Sequence, residues 1–232
     1  DPFSRHFSDI DIFVRPRCFG ATVQALIRLG YAPQQGMEDL AMHWTLRRED
    51  SLTVELHHDF TREWTTPRSL LDAFCDEGMA VDAGGFWLPL PSPERHLAFV
   101  LLHAYNHGWM FDGVWLEDVR HILACTPGVL PKALAFFPRS WPVDLSLAVA
   151  AALDGRIDAS VLPARIRQAG RLLARICRLR PAVPEPVLSA LLRVAASAHP
   201  LETLARMASR FDSRVSPIAR MGRQMQGKTG DE

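Results

Sequence analysis

Cysteine is scarce in this 232-residue chain, and its four cysteines lie far apart. Cys18, Cys75, Cys125 and Cys177 form no C-x-x-C pair, so their spacing excludes a zinc knuckle and indicates no disulfide framework. We expect four reduced and mostly buried thiols.

Long apolar segments are also missing. The chain has no run of about 18 apolar residues, the length that a membrane-spanning helix needs. Its first residues lack the basic-then-apolar pattern of a signal peptide. We therefore expect no membrane partner and a cytoplasmic location.

Neither sign of charge is in excess, because 26 basic residues balance 26 acidic ones. A chain without net charge has no global positive field, so a nucleic-acid partner would need a local basic patch. Lys132 and Lys228 are the two lysines, and the remaining basic residues are arginines. We attribute most of these arginines to a GC-rich coding sequence rather than to phosphate binding.

Hydrophobic residues make up 48% of the chain, which is ample for a packed core. The first part shows short apolar runs separated by polar or glycine-containing turns, a pattern typical of strands. It predicts a strand around Asp9, a helix at 18–29, strands at 31–33, 42–47 and 52–60, a short helix at 68–76, and two apolar pieces at 80–90 joined through Gly84 and Gly85.

The pattern changes at Ser92, which precedes Pro93 and Glu94 in the manner of a helix start. Further helices are predicted at 114–124, 130–137, 141–153, 162–179 and 185–198. We thus predict an α+β chain in which a small mixed-sheet unit (1–91) precedes an all-helical domain (92–212) and a flexible tail (213–232).

Two carboxylates, Asp9 and Asp11, interrupt the apolar run near the amino terminus. On a strand they point to one face, while Ile10 and Ile12 point to the other. Such a pair can hold a hard divalent cation such as Mg²⁺ through its oxygens. Asp-x-Asp also occurs on solvated strand edges, where both carboxylates merely face water.

A second polar group lies at residues 53–60, where Glu55 and His57 share one face of a predicted strand. If this strand lies beside the Asp9 strand, Glu55 adds a third carboxylate, and a two-metal site becomes feasible. His58 and Asp59 follow at the strand end, where we expect them to organise hydrogen bonds around Glu55.

His103 and His107 lie four residues apart on a predicted helix and so share a face. This spacing can ligate zinc, but the segment lacks the glutamate of H-E-x-x-H. Packing between the two units, contact with a nucleotide, and a separate metal site all remain open. We expect Trp87, Trp109 and Trp115 to fill the core between the units.

The motifs together resemble the nucleotidyltransferases of the DNA polymerase beta superfamily, in particular a poorly characterised bacterial branch. The resemblance covers about the first 125 residues. It rests on R-x-x-S-D-I-D-I-F-V at 5–14, L-x-x-x-G-Y at 26–31, V-E-L-H-H at 54–58, L-L-H-A-Y-N-H-G-W at 101–109 and W-L-E-D-V-R at 115–120.

The resemblance implies that Asp9 and Asp11 bind catalytic Mg²⁺ in a two-ion site. It implies that Glu55 is the third acid, acting as a ligand or as the base for an acceptor hydroxyl. It also implies a nucleoside triphosphate (NTP) substrate. The side chains that we expect around the bound nucleotide are Arg5, Ser8, His57, His103 and His107.

One expected element is missing from the sequence. The superfamily usually has a Gly-Ser or Gly-Gly pair upstream of Asp-x-Asp, where backbone amides hold the triphosphate. Neither Phe3-Ser4 nor Phe7-Ser8 supplies that glycine. Either the sequence is truncated or the protein has lost nucleotide binding, and its start at Asp1 favours truncation.

Three functions therefore compete. The first is transfer of a nucleoside monophosphate (NMP) group from an NTP to a hydroxyl of a small molecule, peptide, protein or RNA, with a biosynthetic peptide or small molecule as one candidate acceptor. The second is a catalytically inactive binding or accessory module. The third is a zinc-dependent hydrolase built on His57, His58, Asp59, His103 and His107.

Overall fold

A mixed four-stranded sheet forms the amino-terminal part of the protein, and helices follow it. The structure is a computed structural model that describes residues 9–34, 43–49, 51–60, 67–76, 78–82, 84–85, 87–109, 114–137 and 141–178. The strands of this sheet are β1 (Asp9–Phe13), β2 (Ala32–Pro33), β3 (His43–Arg47) and β4 (Thr53–His57).

The sheet has the strand order β1-β4-β3-β2. β1 runs parallel to β4, whereas β4 with β3 and β3 with β2 are antiparallel. The chain therefore returns to pair its first strand with its fourth.

A separate two-stranded hairpin consists of β5 (Met79–Asp82) and β6 (Trp87–Leu90). Gly84 and Gly85 have φ values of 73° and 94° in the turn, a conformation that glycine adopts without strain. The helices are α1 (Phe19–Arg28), α2 (Arg68–Asp76), α3 (Pro93–Asn106), α4 (Val114–Cys125), α5 (Val129–Phe136), α6 (Trp141–Leu153) and α7 (Ala164–Cys177).

Helix α1 covers the apolar face of the sheet. Val23 and Leu26 from this helix pack against Leu46, Val54 and Leu56 from the two central strands. Alternation along each strand sends these residues to one face and leaves the polar residues on the other. The polar side chains of these strands thus face away from α1.

A larger core joins helices α2 to α7. Its α3 members include Leu97 and Leu101, both fully buried. Phe60, just after β4, belongs to the same core, and Phe13 of β1 stacks on it with ring centroids 4.6 Å apart. The polar face of the sheet therefore meets the helices where β1 and β4 end.

The structure confirms the predicted α+β fold class, with a small mixed sheet followed by helices. Two local predictions are wrong. Trp87 is 70% exposed on the hairpin, although Trp109 and Trp115 are buried as expected. The thiols of Cys18 and Cys125 are exposed rather than buried.

The predicted helix at 185–198 and the predicted tail at 213–232 lie outside the described residues. The proposed boundaries at residues 91 and 212 stay predictions. Among the described helices, none combines the length and the apolar character needed to cross a membrane.

Candidate active site

The parallel pairing of β1 with β4 brings the predicted acidic residues onto neighbouring strands. Asp11 lies opposite Glu55, and Asp9 lies opposite Thr53. Because paired residues in adjacent strands project to the same face, Asp9, Asp11 and Glu55 share the face that α1 leaves uncovered. β1 is an edge strand, and its exposure falls from Asp9 towards Phe13.

His57 joins the two carboxylates. Its Nε2 lies 2.9 Å from Oδ1 of Asp11, within hydrogen-bond distance, and 3.7 Å from Oε2 of Glu55. The imidazole is 1% exposed, whereas the side chain of Asp11 is 43% exposed. A buried imidazole thus holds a carboxylate that still reaches solvent.

His43 completes this group, and the sequence reasoning missed it. It lies directly opposite His57 across β3 and β4, and its Nε2 is 3.6 Å from Oε2 of Glu55. One signal was present: His43 and Thr45 alternate with Trp44 and Leu46, which predicts a polar face on β3. The pattern does not reveal which strand that face adjoins.

Helix α3 forms the opposite wall. The ring of Phe99 meets the ring of His57 edge-on, with 5.8 Å between the centroids. The ring centroid of His103 lies 6.1 Å from that of His57. His107 follows one turn later, and its ring centroid lies 4.4 Å from that of His103. The four imidazoles of His43, His57, His103 and His107 thus form a row from β3 to the end of α3.

The mutual contacts set the charge states of the group. Partial burial opposes ionisation of Asp11, but the hydrogen bond and positive charge of His57, aided by His103 and His43, lower its pKa. The hydrogen-bonding influence of His57 lowers the pKa of Glu55 despite partial burial. Burial would depress the pKa of His57, but Asp11 and Glu55 together raise it. His57 and the two carboxylates thus stabilise one another's charged forms.

His103 behaves differently, because burial lowers its pKa more than the nearby carboxylates raise it. A neutral imidazole on α3 thus faces the charged group on the sheet. It can donate or accept a hydrogen bond from a ligand without adding charge.

The remaining predicted residues lie elsewhere or outside the described residues. Arg5 and Ser8 precede the first described residue. The ring of His58 packs against Phe19 of α1, at 4.6 Å between centroids. The carboxylate of Asp59 accepts a hydrogen bond from the backbone N–H of Phe60.

The zinc set that we considered is not assembled. In the part of the chain that the structure describes, the one group of three ligand atoms within 4.8 Å of one another comes from His43, Glu55 and His57. Of the residues in the predicted zinc set, it includes His57 alone. The prediction is wrong because His58 follows the strand alternation to the α1 side.

The donor set next to Asp11 combines carboxylates with imidazoles. Asp9, Asp11 and Glu55 share this face and carry the kind of oxygen ligand that Mg²⁺ prefers. The histidines supply nitrogen ligands that suit Zn²⁺ and related ions. The face therefore carries donor atoms of both kinds.

The comparisons with known proteins agree with the geometry on one point. A family model described as an uncharacterised nucleotidyltransferase matches residues 1–133, more than half of the chain. The matched segment includes β1, β4 and α3 with their acidic and histidine side chains. Neither the search of curated proteins nor the search of solved structures found a match. The chain belongs to this nucleotidyltransferase family.

Proposed function

We propose that the protein transfers an NMP group from an NTP to a hydroxyl of an acceptor, with divalent cations held by Asp9, Asp11 and Glu55. The observation that carries this proposal is the pairing of Asp11 with Glu55 on parallel neighbouring strands. The two carboxylates share a face, and the chain is a member of a nucleotidyltransferase family. We also assign it to the DNA polymerase beta superfamily, because its motifs resemble that group.

Each side chain has a distinct part in the proposed reaction. Asp9 and Asp11 act as ligands on the exposed edge strand. Glu55 acts as a ligand or accepts the proton of the acceptor hydroxyl. As that oxygen bonds to the α-phosphorus, the bond to the bridging oxygen breaks and pyrophosphate leaves. Divalent cations held by these carboxylates would supply charge neutralisation for the phosphates and activation of the attacking oxygen.

His57 is a positioning residue in this proposal. Its hydrogen bond to Asp11 and its proximity to Glu55 fix the two carboxylates at the join between β1 and β4. Burial against Phe99 restricts the imidazole. Carboxylates held in this way require little rearrangement when they bind charged groups.

His103 and His107 are proposed to contact the nucleotide from α3. His103 and His107 lie on the wall opposite the carboxylates, and the neutral state of His103 suits hydrogen bonding to phosphate oxygens or a base. The acceptor is proposed to be a small molecule or peptide, because the chain has no net positive charge to attract nucleic acid.

The test measures label transfer from α-labelled NTPs in the presence of Mg²⁺, with protein, peptide and small-molecule fractions as acceptors. We expect Asp11→Asn to reduce transfer by more than about 100-fold, the upper range for residues that only support a metal ligand. Asp158→Asn is the matched control, since it makes the same change on an exposed loop between α6 and α7.

Equal transfer by the wild type, Asp11→Asn and the control would reject the catalytic assignment. Binding of labelled NTP without any transfer would instead favour the inactive binding module. The wild-type protein with EDTA provides the metal-free reference in both cases.

A further inference from the structure

The histidines beside Glu55 are poor ligands for Mg²⁺ but good ligands for another class of cation. Mg²⁺ prefers carboxylate, phosphate and water oxygens, whereas imidazole nitrogen suits zinc and other first-row transition cations. The polar face of β3 and β4 carries two imidazoles next to one carboxylate.

The three ligand atoms are close enough to share one ion. Oε2 of Glu55 lies 3.6 Å from Nε2 of His43 and 3.7 Å from Nε2 of His57. Two nitrogen or oxygen ligands on a tetrahedral zinc ion are about 3.4 Å apart, from bond lengths of about 2.0 to 2.1 Å. All three ligand atoms lie within 4.8 Å of one another, so side-chain shifts would bring them to this separation, and His57 would release its Nε2 proton as the ion binds.

The backbone already holds the two imidazoles in position. His43 and His57 are direct partners across antiparallel strands, and their exposed fractions are 2% and 1%. Their ring centroids are 4.7 Å apart. Because the rings are already packed, binding an ion costs little additional side-chain entropy.

The surroundings offer both a further ligand and a path to solvent. Oδ1 of Asp11 shares a hydrogen bond of 2.9 Å with Nε2 of His57, so it lies next to an ion that replaces the shared proton, and 43% of the Asp11 side chain is exposed. On the inner side, Thr45 lies opposite Glu55, and its buried Oγ1 has no hydrogen-bond partner among the described residues. Polar atoms thus border the three ligands on both sides.

We propose that His43, Glu55 and His57 form a binding site for a first-row transition cation such as Zn²⁺, adjacent to the carboxylates of β1. Any role of this ion in group transfer rests on the proposed function, whereas the binding of the ion is independent of that function. The site gives the protein one cation position defined by nitrogen ligands beside the oxygen ligands of Asp9 and Asp11.

Cobalt provides the most direct test, because Co²⁺ occupies zinc sites and absorbs visible light when protein ligands replace water. The full chain is stripped of metal with a chelator and titrated with Co²⁺, and Zn²⁺ and Mg²⁺ are then added as competitors. We expect a visible band that saturates at one Co²⁺ per chain, is removed by Zn²⁺ and persists with millimolar Mg²⁺.

His43→Gln and Glu55→Gln identify the ligands. We expect each to weaken Co²⁺ binding by more than about 100-fold, beyond the loss expected for a supporting residue. His121→Gln is the matched control, because His121 is an exposed imidazole whose Nε2 lies 3.7 Å from the thiol of Cys125. We expect this control to bind Co²⁺ as the wild type does.

Loss of the cobalt band in His121→Gln, with retention in His43→Gln, would overturn the proposal, because it would assign the ion to the surface pair. Circular dichroism establishes whether each variant is folded. If His43→Gln does not fold, X-ray absorption of the zinc-loaded wild type decides the matter. Imidazole scattering around zinc supports the proposal, and coordination by oxygen or sulfur without imidazole overturns it.

These measurements use no nucleotide, so their outcome is separate from that of the transferase assay. Normal label transfer without a nitrogen-ligated ion would reject this inference and leave the proposed function intact. A nitrogen-ligated ion without label transfer would support this inference and reject the proposed function.

Discussion

At the scale of single residues, the hydrogen bond between Asp11 and His57 should make stability depend on pH in two directions. The pKa of Asp11 is lowered, so the stabilisation by its charge is lost as pH falls through that lowered value. The pKa of His57 is raised, so the stabilisation by its charge is lost as pH rises through that raised value. The pair is therefore most effective between the ordinary pKa values of about 4 and 6.5.

Asp11→Asn tests this expectation in the metal-free protein. We expect the difference in melting temperature between the wild type and the variant to be largest near pH 5 to 6. The difference should shrink towards pH 3 and towards pH 9. Glu55, His43 and His103 also face this pair, so the buffer contains EDTA to keep cations from the group. A difference that does not vary with pH would contradict the assigned ion pair.

The four thiols differ in reactivity because they differ in burial. Burial of Cys177 raises its pKa to about 11. At pH 8 only about one molecule in a thousand then carries the reactive thiolate. Cys18 and Cys125 are exposed. We expect iodoacetamide at pH 8 to modify these two well before Cys177, as measured by peptide mass spectrometry. Equal modification of Cys177 in the folded protein would show that the α7 terminus is open.

At the scale of secondary-structure elements, the contact between α6 and α7 depends on a glycine. A Cβ atom on Gly170 would lie 2.5 Å from Cβ of Ala148 and 2.6 Å from its carbonyl carbon. The two helices approach closely because this side chain is missing.

Gly170→Ala should therefore separate the two helices. We expect a loss of about 1 to 3 kcal/mol in the free energy of unfolding, typical of overpacking, as measured by urea denaturation. Gly20→Ala is the matched control, since Gly20 lies in α1 with open space around the added Cβ. The control should be neutral or slightly stabilising. Equal effects of both changes would contradict the close packing.

Local sequence signals predicted most of these elements. The prediction at 68–76 coincides with α2 (Arg68–Asp76), and α1 ends just before Gly30, whose φ is +88°. These features depend on neighbours along the chain, so periodicity and glycine positions reveal them. Local signals did not predict the exposure of Trp87, because an aromatic residue in an apolar strand gives no sign of whether another element packs over it.

The candidate site was only partly predictable for the same reason. Asp11 and Glu55 each stand out within an apolar strand, but whether the strands adjoin depends on chain topology. His43 contributes through its register with His57, and one strand's sequence does not encode the register of another. The structure shows that β1 pairs with β4, which the local sequence pattern could not predict.

At the scale of the whole molecule, buried hydrogen bonds connect the sheet to the helices. Nδ2 of Asn106, at the end of α3, donates to the backbone carbonyl of Phe60 over 2.7 Å. Nε1 of Trp109 donates to Oγ of Ser146 over 2.8 Å, which ties the following turn to α6. Asn106 thus holds α3 and its histidines against the segment that follows β4.

Asn106→Ala should weaken this connection. The carbonyl of Phe60 would lose a buried donor, so we expect a loss of about 1 to 3 kcal/mol in the free energy of unfolding. Gln168→Ala is the matched control, because Gln168 is an exposed amide on α7, where changes are usually within about 0.5 kcal/mol. Urea denaturation measures both. A loss in Asn106→Ala no greater than in the control would contradict the role of this bond.

The pairing of the first strand with the fourth also has a consequence for biosynthesis. Asp11 and His57 are 46 residues apart in the chain, so β1 leaves the ribosome well before β4 exists to receive it. Until then, Ile10 and Ile12 belong to a strand without a neighbour, the kind of segment that sticks to other nascent chains. Negative charge on alternate residues discourages such association. We therefore expect the charges of Asp9 and Asp11 to limit association of the unpaired strand before β4 is available.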